Sequence, residues 1–290
     1  MMGYMLDAHM TESEDREALP STSLVRAQPS ITAVFPFRLS IVVPVYNEVA
    51  TVERVVSTVL SLEIPCEFEV IVVDDGSTDG SSTLLEDLSG NNVQVLHHAK
   101  NLGKGAAVKT GLAASTGTHL LIFDADTEYD PHDIARLVLP LMSGRAEVVF
   151  GSRMSGFGTV HPSLHHLVGN RLMTWTANIM FGAAISDLHT CLKLLPIPLL
   201  RAMRLQEGGF GLDTEIACEM LRLGFRPYEL PISYVGRSVQ EGKKIRVSDA
   251  FRSVYILTKI RVSRRRVKYG NRDLTLIPKI HLIDVSGYGA

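Results

Sequence analysis

Phe68-Glu-Val-Ile-Val-Val73 is a nearly unbroken β-branched run that stops abruptly at Asp74-Asp75-Gly76-Ser77. A run of this kind, closed by turn residues, reads as a buried strand. Similar runs lie on both sides. Upstream is Leu39-Ser-Ile-Val-Val-Pro-Val45; downstream are residues 93–96, His119-Leu-Leu-Ile-Phe123 and Glu147-Val-Val-Phe150. The segments between them have helical spacing: Val52, Val55, Val56, Val59 and Leu60 in the first, then 81–88, the alanine-rich 105–114, and 131–142. Pro131 falls near the start of the last, where a missing N–H costs nothing.

The alternation predicts an α/β fold, a mainly parallel sheet with helices on both faces. Right-handed crossovers place the strand C-termini on one edge, outside which ligands bind. Polar residues gather at those ends: Asn47-Glu48, Asp74-Asp75, Asn101, and Asp124 with Asp126. After Gly151 the pattern changes to helices over 165–181 and 212–223 and a strand and turn over 227–234. The expected organisation is a flexible tail over 1–38 and a domain over 39–245. Within the domain, 39–151 binds the donor and 152–245 supplies the acceptor side. A basic segment follows over 246–290.

Composition narrows the class. Of 290 residues 46% are apolar and 21% charged, which is globular, and a net charge of −2 argues against nucleic acid. Cys66, Cys191 and Cys218 are too few and too far apart for a disulfide framework or zinc site, so they read as reduced, buried thiols of a cytoplasmic protein. The first 38 residues lack the basic start and apolar run of a signal peptide, and no apolar stretch reaches the length of a membrane span.

Asp124-Ala-Asp-Thr-Glu128 leaves a buried strand directly. Two carboxylates one residue apart can share a divalent cation, Mg²⁺ or Mn²⁺, which takes oxygen ligands, keeps waters and neutralises a diphosphate leaving group. Asp74 and Asp75 are poor ligands for phosphate and are expected to face the nucleoside end. Lys104, in Asn101-Leu-Gly-Lys-Gly105 before a helix, suits a diphosphate; the stretch is neither a Walker loop nor a dinucleotide fingerprint.

Taken together, Pro44-Val-Tyr-Asn-Glu48, Val73-Asp-Asp-Gly-Ser77, Asn101-Leu-Gly-Lys-Gly105, Asp124-Ala-Asp126 and Gly151-Ser-Arg153 resemble glycosyltransferase family 2. They are most similar to its dolichyl- or polyprenyl-phosphate sugar synthase branch, over about residues 39–259. The resemblance implies a GT-A, Rossmann-like fold and an inverting transfer of a hexose from UDP or GDP. It implies nucleoside contacts from Pro44, Tyr46, Glu48 and Asp75, metal binding by Asp124 and Asp126, and phosphate contact by Arg153. Glu128 stands where mannose synthases of the branch often carry glutamine, and is a third candidate metal ligand.

On the acceptor side, Asp187-Leu-His-Thr-Cys-Leu-Lys193 is similar to a family stretch near the transferred sugar, with Thr190-Cys191 replacing its small pair. Lys193 is a candidate cation for an acceptor phosphate. Asp213 or Glu215, in Gly208-Gly-Phe-Gly-Leu-Asp-Thr-Glu215, matches the place of a general base in relatives with hydroxyl acceptors; a phosphate acceptor, already largely ionised at neutral pH, needs none. Residues 231–245 also resemble a family stretch, and Arg237, Lys243 and Lys244 put cations on a loop able to close over phosphate. Beyond it, residues 249–260 are apolar at helical spacing within a strongly basic stretch: either a helix on an anionic membrane surface, suiting a polyprenyl acceptor, or one packed on the domain. A hydroxyl acceptor on a glycan or small molecule, and a non-catalytic nucleotide-binding protein, are the alternatives.

Overall fold

The computed structural model describes residues 37–88, 90, 92–154, 158–161, 164–237, 247–270 and 272–274. Nearly all of the expected tail, Lys243 and Lys244, and residues 275–290 lie outside them.

The first half alternates as expected: β1 (Arg38–Val45), α1 (Val52–Ser61), β2 (Glu67–Asp74), α2 (Ser81–Leu88), β3 (Val93–His97), α3 (Lys104–Ala114), β4 (His119–Ile122), α4 (Asp133–Met142) and β5 (Val149–Ser152). The second half adds β6 (Thr159–Val160), α5 (Leu164–Phe181), β7 (Lys193–Pro196), α6 (Ile197–Met203), α7 (Gly211–Arg222), β8 (Tyr228–Pro231), β9 (Tyr234–Val235), α8 (Val247–Val262), β10 (Val267–Tyr269) and β11 (Arg272–Leu274). Seven strands form the main sheet in the order β3-β2-β1-β4-β7-β5-β8.

Successive residues of a strand face opposite ways, and β1 and β2 use both faces. Leu39, Ile41, Val43, Val70 and Val72 enter the core under α1 and α4. Val42, Ile71 and Val73 enter the core shared with α3, α5, α7 and α8. Burial on both sides explains why these strands read as continuous apolar runs. Pro44 is tolerated in a central strand because β4 pairs with β1 only as far as Val42.

The sheet is mainly parallel, as expected, with one exception. β7 runs antiparallel to both neighbours, β4 and β5. The short Lys-Leu-Leu-Pro carries no turn signal and no alternation, so sequence periodicity passes over it. Its direction matters: β7 begins at the edge where β4 and β5 end, and so delivers residues 187–193 to the ligand-binding edge.

Helix α3 lies unusually close to the sheet. A Cβ on Gly111 would meet Val42 Cγ1 at 2.4 Å and Cγ2 at 2.9 Å. Gly111→Ala is expected to cost about 1–3 kcal/mol through overpacking, outweighing alanine's better helix propensity. Urea denaturation would show it as a lower midpoint. Among the described residues no helix is long and apolar enough to cross a membrane.

Candidate active site

The turns after β1 and β2 are laced together. The Asn47 N–H donates to Ser77 Oγ (3.0 Å), the Glu48 N–H to Ser81 Oγ (3.0 Å) and the Thr78 N–H to Asn47 Oδ1 (2.8 Å). Asn47 adopts φ 54°, a left-handed conformation that asparagine tolerates. Buried Asp74 accepts from the Ser77 N–H (3.0 Å), from Ser82 Oγ, and contacts His97 Nδ1 (3.1 Å). Burial pushes its pKa up, but hydrogen bonds from Ser77, Ser82 and His97 prevail and hold it below the usual value. Asp75 accepts from the Leu102 N–H (2.9 Å) and Gly103 N–H (2.7 Å), with His98 Nδ1 at 2.7 Å. Both aspartates, expected to face a nucleoside, thus brace the site's own loops.

Asp75 thereby sets Lys104. Gly103, at φ 96°, turns the chain into α3 with its backbone against residue 208, where a Cβ would lie 2.4 Å from the Gly208 carbonyl. Lys104 then points inward. Its Nζ lies 2.8 and 3.0 Å from the Asp124 oxygens, 3.0 Å from Cys191 Sγ and 3.4 Å from Asp213 Oδ2. Burial disfavours the ammonium, but Asp124 and Asp213 outweigh it and raise its pKa well above the ordinary value. The second carboxylate of the pair has its own cation. The Arg237 guanidinium is 3.1 Å from Asp126 Oδ2 and donates to both oxygens of Glu48, each at 3.1 Å. Burial, then the charges of Asp124 and Glu128, raise the Asp126 pKa to about 6 against the pull of Arg237.

Glu128 does not join Asp124 and Asp126 as an open ligand. Its Oε2 accepts from the Tyr234 hydroxyl (2.8 Å) and its Oε1 from the Arg237 N–H (2.6 Å), so it clamps the chain after β8. Among the described residues no three His, Cys, Asp or Glu side chains converge to hold a metal. This corrects the expectation of a three-carboxylate set. The remaining pair still fits a hard divalent cation: two adjacent carboxylates, each already matched to positive charge, suit an ion that completes its shell with phosphate and water.

Lys193 also departs from expectation. It is fully buried at the start of β7, where its ammonium donates to the Thr190 carbonyl, lies 3.7 Å from Asp213 Oδ1 and sits 5.3 Å from the Phe150 ring centroid. Burial lowers its pKa. It is a counter-charge behind Asp213, away from any surface where an acceptor phosphate could arrive directly. Asp213, in the first turn of α7, is buried between Lys104 and Lys193. Burial pushes its pKa up, yet the two lysines hold it below the usual value. Among the described residues its Oδ1 has no hydrogen-bond partner. Glu215 faces elsewhere, accepting from the Gln206 and Glu207 N–H groups (2.9 and 2.8 Å). Of the two candidate bases, only Asp213 stands at the strand-end edge.

Arg153, after β5, is locked to Asp187 through Nε (2.7 Å), Nη2 (2.8 Å) and its backbone N–H (3.1 Å). Asp187 is fully buried. Burial opposes its charge, but Arg153 and Asn170 hold its pKa far below the carboxylate range. From Asp187 a chain of side chains continues through Asn170 (2.9 Å), His189 Nδ1 (2.9 Å), Thr214 from His189 Nε2 (3.1 Å) and Ser253 (3.1 Å). Asn170 escaped the sequence reading because no local spacing marks it; His189 and Cys191 were quoted only as members of the family stretch 187–193, without a role of their own.

Burial lowers the pKa of His189 to about 4, and does the same to His119. Both are neutral in the fold, whereas an unfolded histidine titrates near 6.5. As pH falls from about 6.5 towards 4, the unfolded chain takes up protons that the folded chain refuses, so stability drops by up to about 1.4 kcal/mol per pH unit for each histidine. Urea midpoints should fall across that window, and His189→Gln should flatten the slope.

Comparisons with known proteins give the family and the fold. The sequence model of glycosyl transferase family 2 matches residues 40–197. An undecaprenyl-phosphate mannosyltransferase of Micrococcus luteus is 28% identical over 218 residues, covering 71% of this chain and 87% of its own. The glycosyltransferase AglD of Haloferax volcanii is 28% identical over 71% of this chain but only 34% of its own. Against AglD and two further H. volcanii transferases, the chain spans 34%, 47% and 64% of their lengths. Among solved structures, glucosyl-3-phosphoglycerate synthase of Mycobacterium tuberculosis, in complex with Mn²⁺, UDP and phosphoglyceric acid, shares the fold. Its TM-score is 0.60 at 20% identity, over 78% of this chain and 79% of that one.

Proposed function

The chain belongs to glycosyl transferase family 2, and from that membership we propose that it moves a hexose from a UDP- or GDP-sugar to a polyprenyl phosphate, with inversion and with Mg²⁺ or Mn²⁺. The observation that carries the reading is the matched pair at the sheet edge: Asp124 with Lys104, and Asp126 with Arg237. Two carboxylates there, each paired with a cation, suit a site that exchanges charge with a metal-bound diphosphate. A bound divalent cation would neutralise charge on the departing diphosphate. Asp124 and Asp126 would hold it. Lys104 and Arg237, freed from them, can turn their N–H donors to phosphate oxygens, Arg237 as a fork and Lys104 as a point charge. Pro44 near the end of β1, and Tyr46 and Glu48 just after it, would meet the donor's nucleoside. The relatives named for undecaprenyl-phosphate transfer support the acceptor.

A second reading has its own observation. Among the described residues the buried Asp213 Oδ1 lacks a hydrogen-bond partner, which suits an oxygen placed to accept a hydroxyl proton. The resemblance to a synthase crystallised with phosphoglyceric acid keeps a small hydroxyl acceptor in view. An ionised phosphate needs no base, so under the leading reading Asp213 orients Lys104 instead. The test is nucleotide release from a panel of UDP- and GDP-sugars with and without a short polyprenyl phosphate, on the parent and on Asp213→Asn. Lipid-stimulated release that survives largely in Asp213→Asn supports the phosphate acceptor. Release indifferent to lipid, and lost in the variant with a hydroxyl acceptor, supports the second. Nucleotide binding with no turnover of any donor would point to a binding protein.

A further inference from the structure

Helix α5 buries Met173, Thr174, Ala177 and Phe181. It also leaves Leu164, Val168, Leu172, Trp175 and Ile179 exposed, Trp175 at 60%. These five recur at intervals of four, four, three and four residues. At roughly 100° per residue they occupy an arc of about 80°, opposite the buried face. A helix apolar on both sides needs partners on both sides. Helix α8 packs against α5 and repeats the arrangement. Ile256, Leu257 and Ile260 face the core, while Phe251, Val254, Tyr255 and Val262 are exposed, Phe251 at 75%. Single exposed apolar residues are ordinary, but such a set on two adjoining helices marks an interaction surface.

The charges select the occupant. Helix α5 has no Asp or Glu in its 18 residues and carries Arg171. Arg252 within α8 and Arg265 after it are paired with Glu207 and Glu219. Arg264, Arg266 and Lys268 are exposed, and no ion pair holds them among the described residues. A second copy of the chain docked face to face would set these cations against their own kind. An apolar face with a tryptophan, a tyrosine and flanking cations fits instead the boundary between headgroups and acyl chains of an anionic bilayer. The two helices are also tied to the site: Asn170 of α5 and Ser253 of α8, with Thr214 of α7, are the helical members of the hydrogen-bond chain that starts at Arg153 and Asp187.

We infer that the exposed face of α5 and α8 docks on an anionic lipid bilayer, with Leu172, Trp175 and Phe251 entering the interface and Arg264, Arg266 and Lys268 meeting the headgroups. The inference rests on the proposed polyprenyl-phosphate acceptor for its use, while the docking can be measured apart from it.

The measurement is flotation of the full chain with phosphatidylcholine vesicles, with and without phosphatidylglycerol, free of polyprenyl phosphate and donor. The parent should float with the anionic vesicles, and Leu172→Asp with Trp175→Asp should weaken this at least about tenfold. Circular dichroism checks that the variant folds; if it does not, Phe251→Asp on α8 makes the same test. Arg264→Glu with Arg266→Glu should remove the preference for anionic lipid. Transfer to a short, water-soluble polyprenyl phosphate should be unchanged in the Leu172→Asp, Trp175→Asp variant, while transfer to vesicle-embedded polyprenyl phosphate should fall at least about tenfold. Equal flotation of variant and parent, or no flotation of the parent, overturns the inference. So does a dimer in sedimentation equilibrium that the apolar substitutions dissolve, which would assign the face to a second copy. A parent that floats but transfers to no lipid phosphate refutes the acceptor reading and leaves the docking surface standing.

Discussion

Asp187→Ala is expected to lower folding stability by about 3–5 kcal/mol, the usual cost of removing one partner from a buried ion pair. Arg153 has two side-chain bonds and one backbone bond to this single carboxylate. Its guanidinium is largely buried against the Tyr234 ring, 5.1 Å from the centroid. Without Asp187 the cation loses its paired carboxylate and Asn170 loses its acceptor. Urea denaturation at neutral pH reads the loss. The double variant Asp187→Leu, Arg153→Met should recover much of it, because it leaves no orphaned charge. Acid adds a second check. Asp187 is ionised in the fold far below the pKa near 3.9 of an unfolded aspartate, so its contribution is complete above that value and shrinks as pH drops below it. An Asp187→Ala loss below about 1 kcal/mol would show that the pair is not the anchor of this half of the site.

Asp124→Ala and Asp126→Ala are expected to reduce sugar transfer by about 10³-fold each, the scale of several kcal/mol of charge stabilisation on a diphosphate leaving group. The side effects differ. Removing Asp124 frees Lys104 towards Asp213 and Cys191, which lie 3.4 and 3.0 Å away. Removing Asp126 leaves Arg237 with Glu48 alone. Neither change uncovers a buried cation with no counter-charge, so both variants should fold, and a loss of activity reports chemistry more than collapse. A chelator should abolish transfer by the parent, with Mg²⁺ or Mn²⁺ restoring it, and should change little in either variant. Retention of more than a tenth of the parent kcat/KM in both variants would remove the proposed metal pair.

Much of the donor half was readable because its physics is local. Val70–Val73 and Leu39–Val43 are buried on both faces, so composition alone marked their runs as buried strands. The turn after β2 carries residues that only turns prefer. The acceptor half resisted. Strand β7 is four residues long and antiparallel, and its partners are remote in sequence, so no window of the chain contains the information that pairs it. Lys193 illustrates the consequence: an isolated lysine reads as exposed, yet the strand carries it into the core behind Asp213.

The site divides in the same way. Asp124, Asp126, Lys104 and Asp213 were marked by their places after a strand or before a helix. Their mutual arrangement was not, because Lys104 meets Asp213 across 109 residues and Arg237 meets Glu48 across 189. Helical periodicity announced α5 and α8, but an apolar helix looks the same in sequence whether one face or two are covered. What the amino-acid sequence determined by itself was the alternation of strands and helices, the edge where carboxylates collect, and the family. Which carboxylate braces a loop, which holds a cation and which apolar face stays open were decided only by tertiary structure. Charge pairing and burial depend on distance in space, and chain order does not encode that distance.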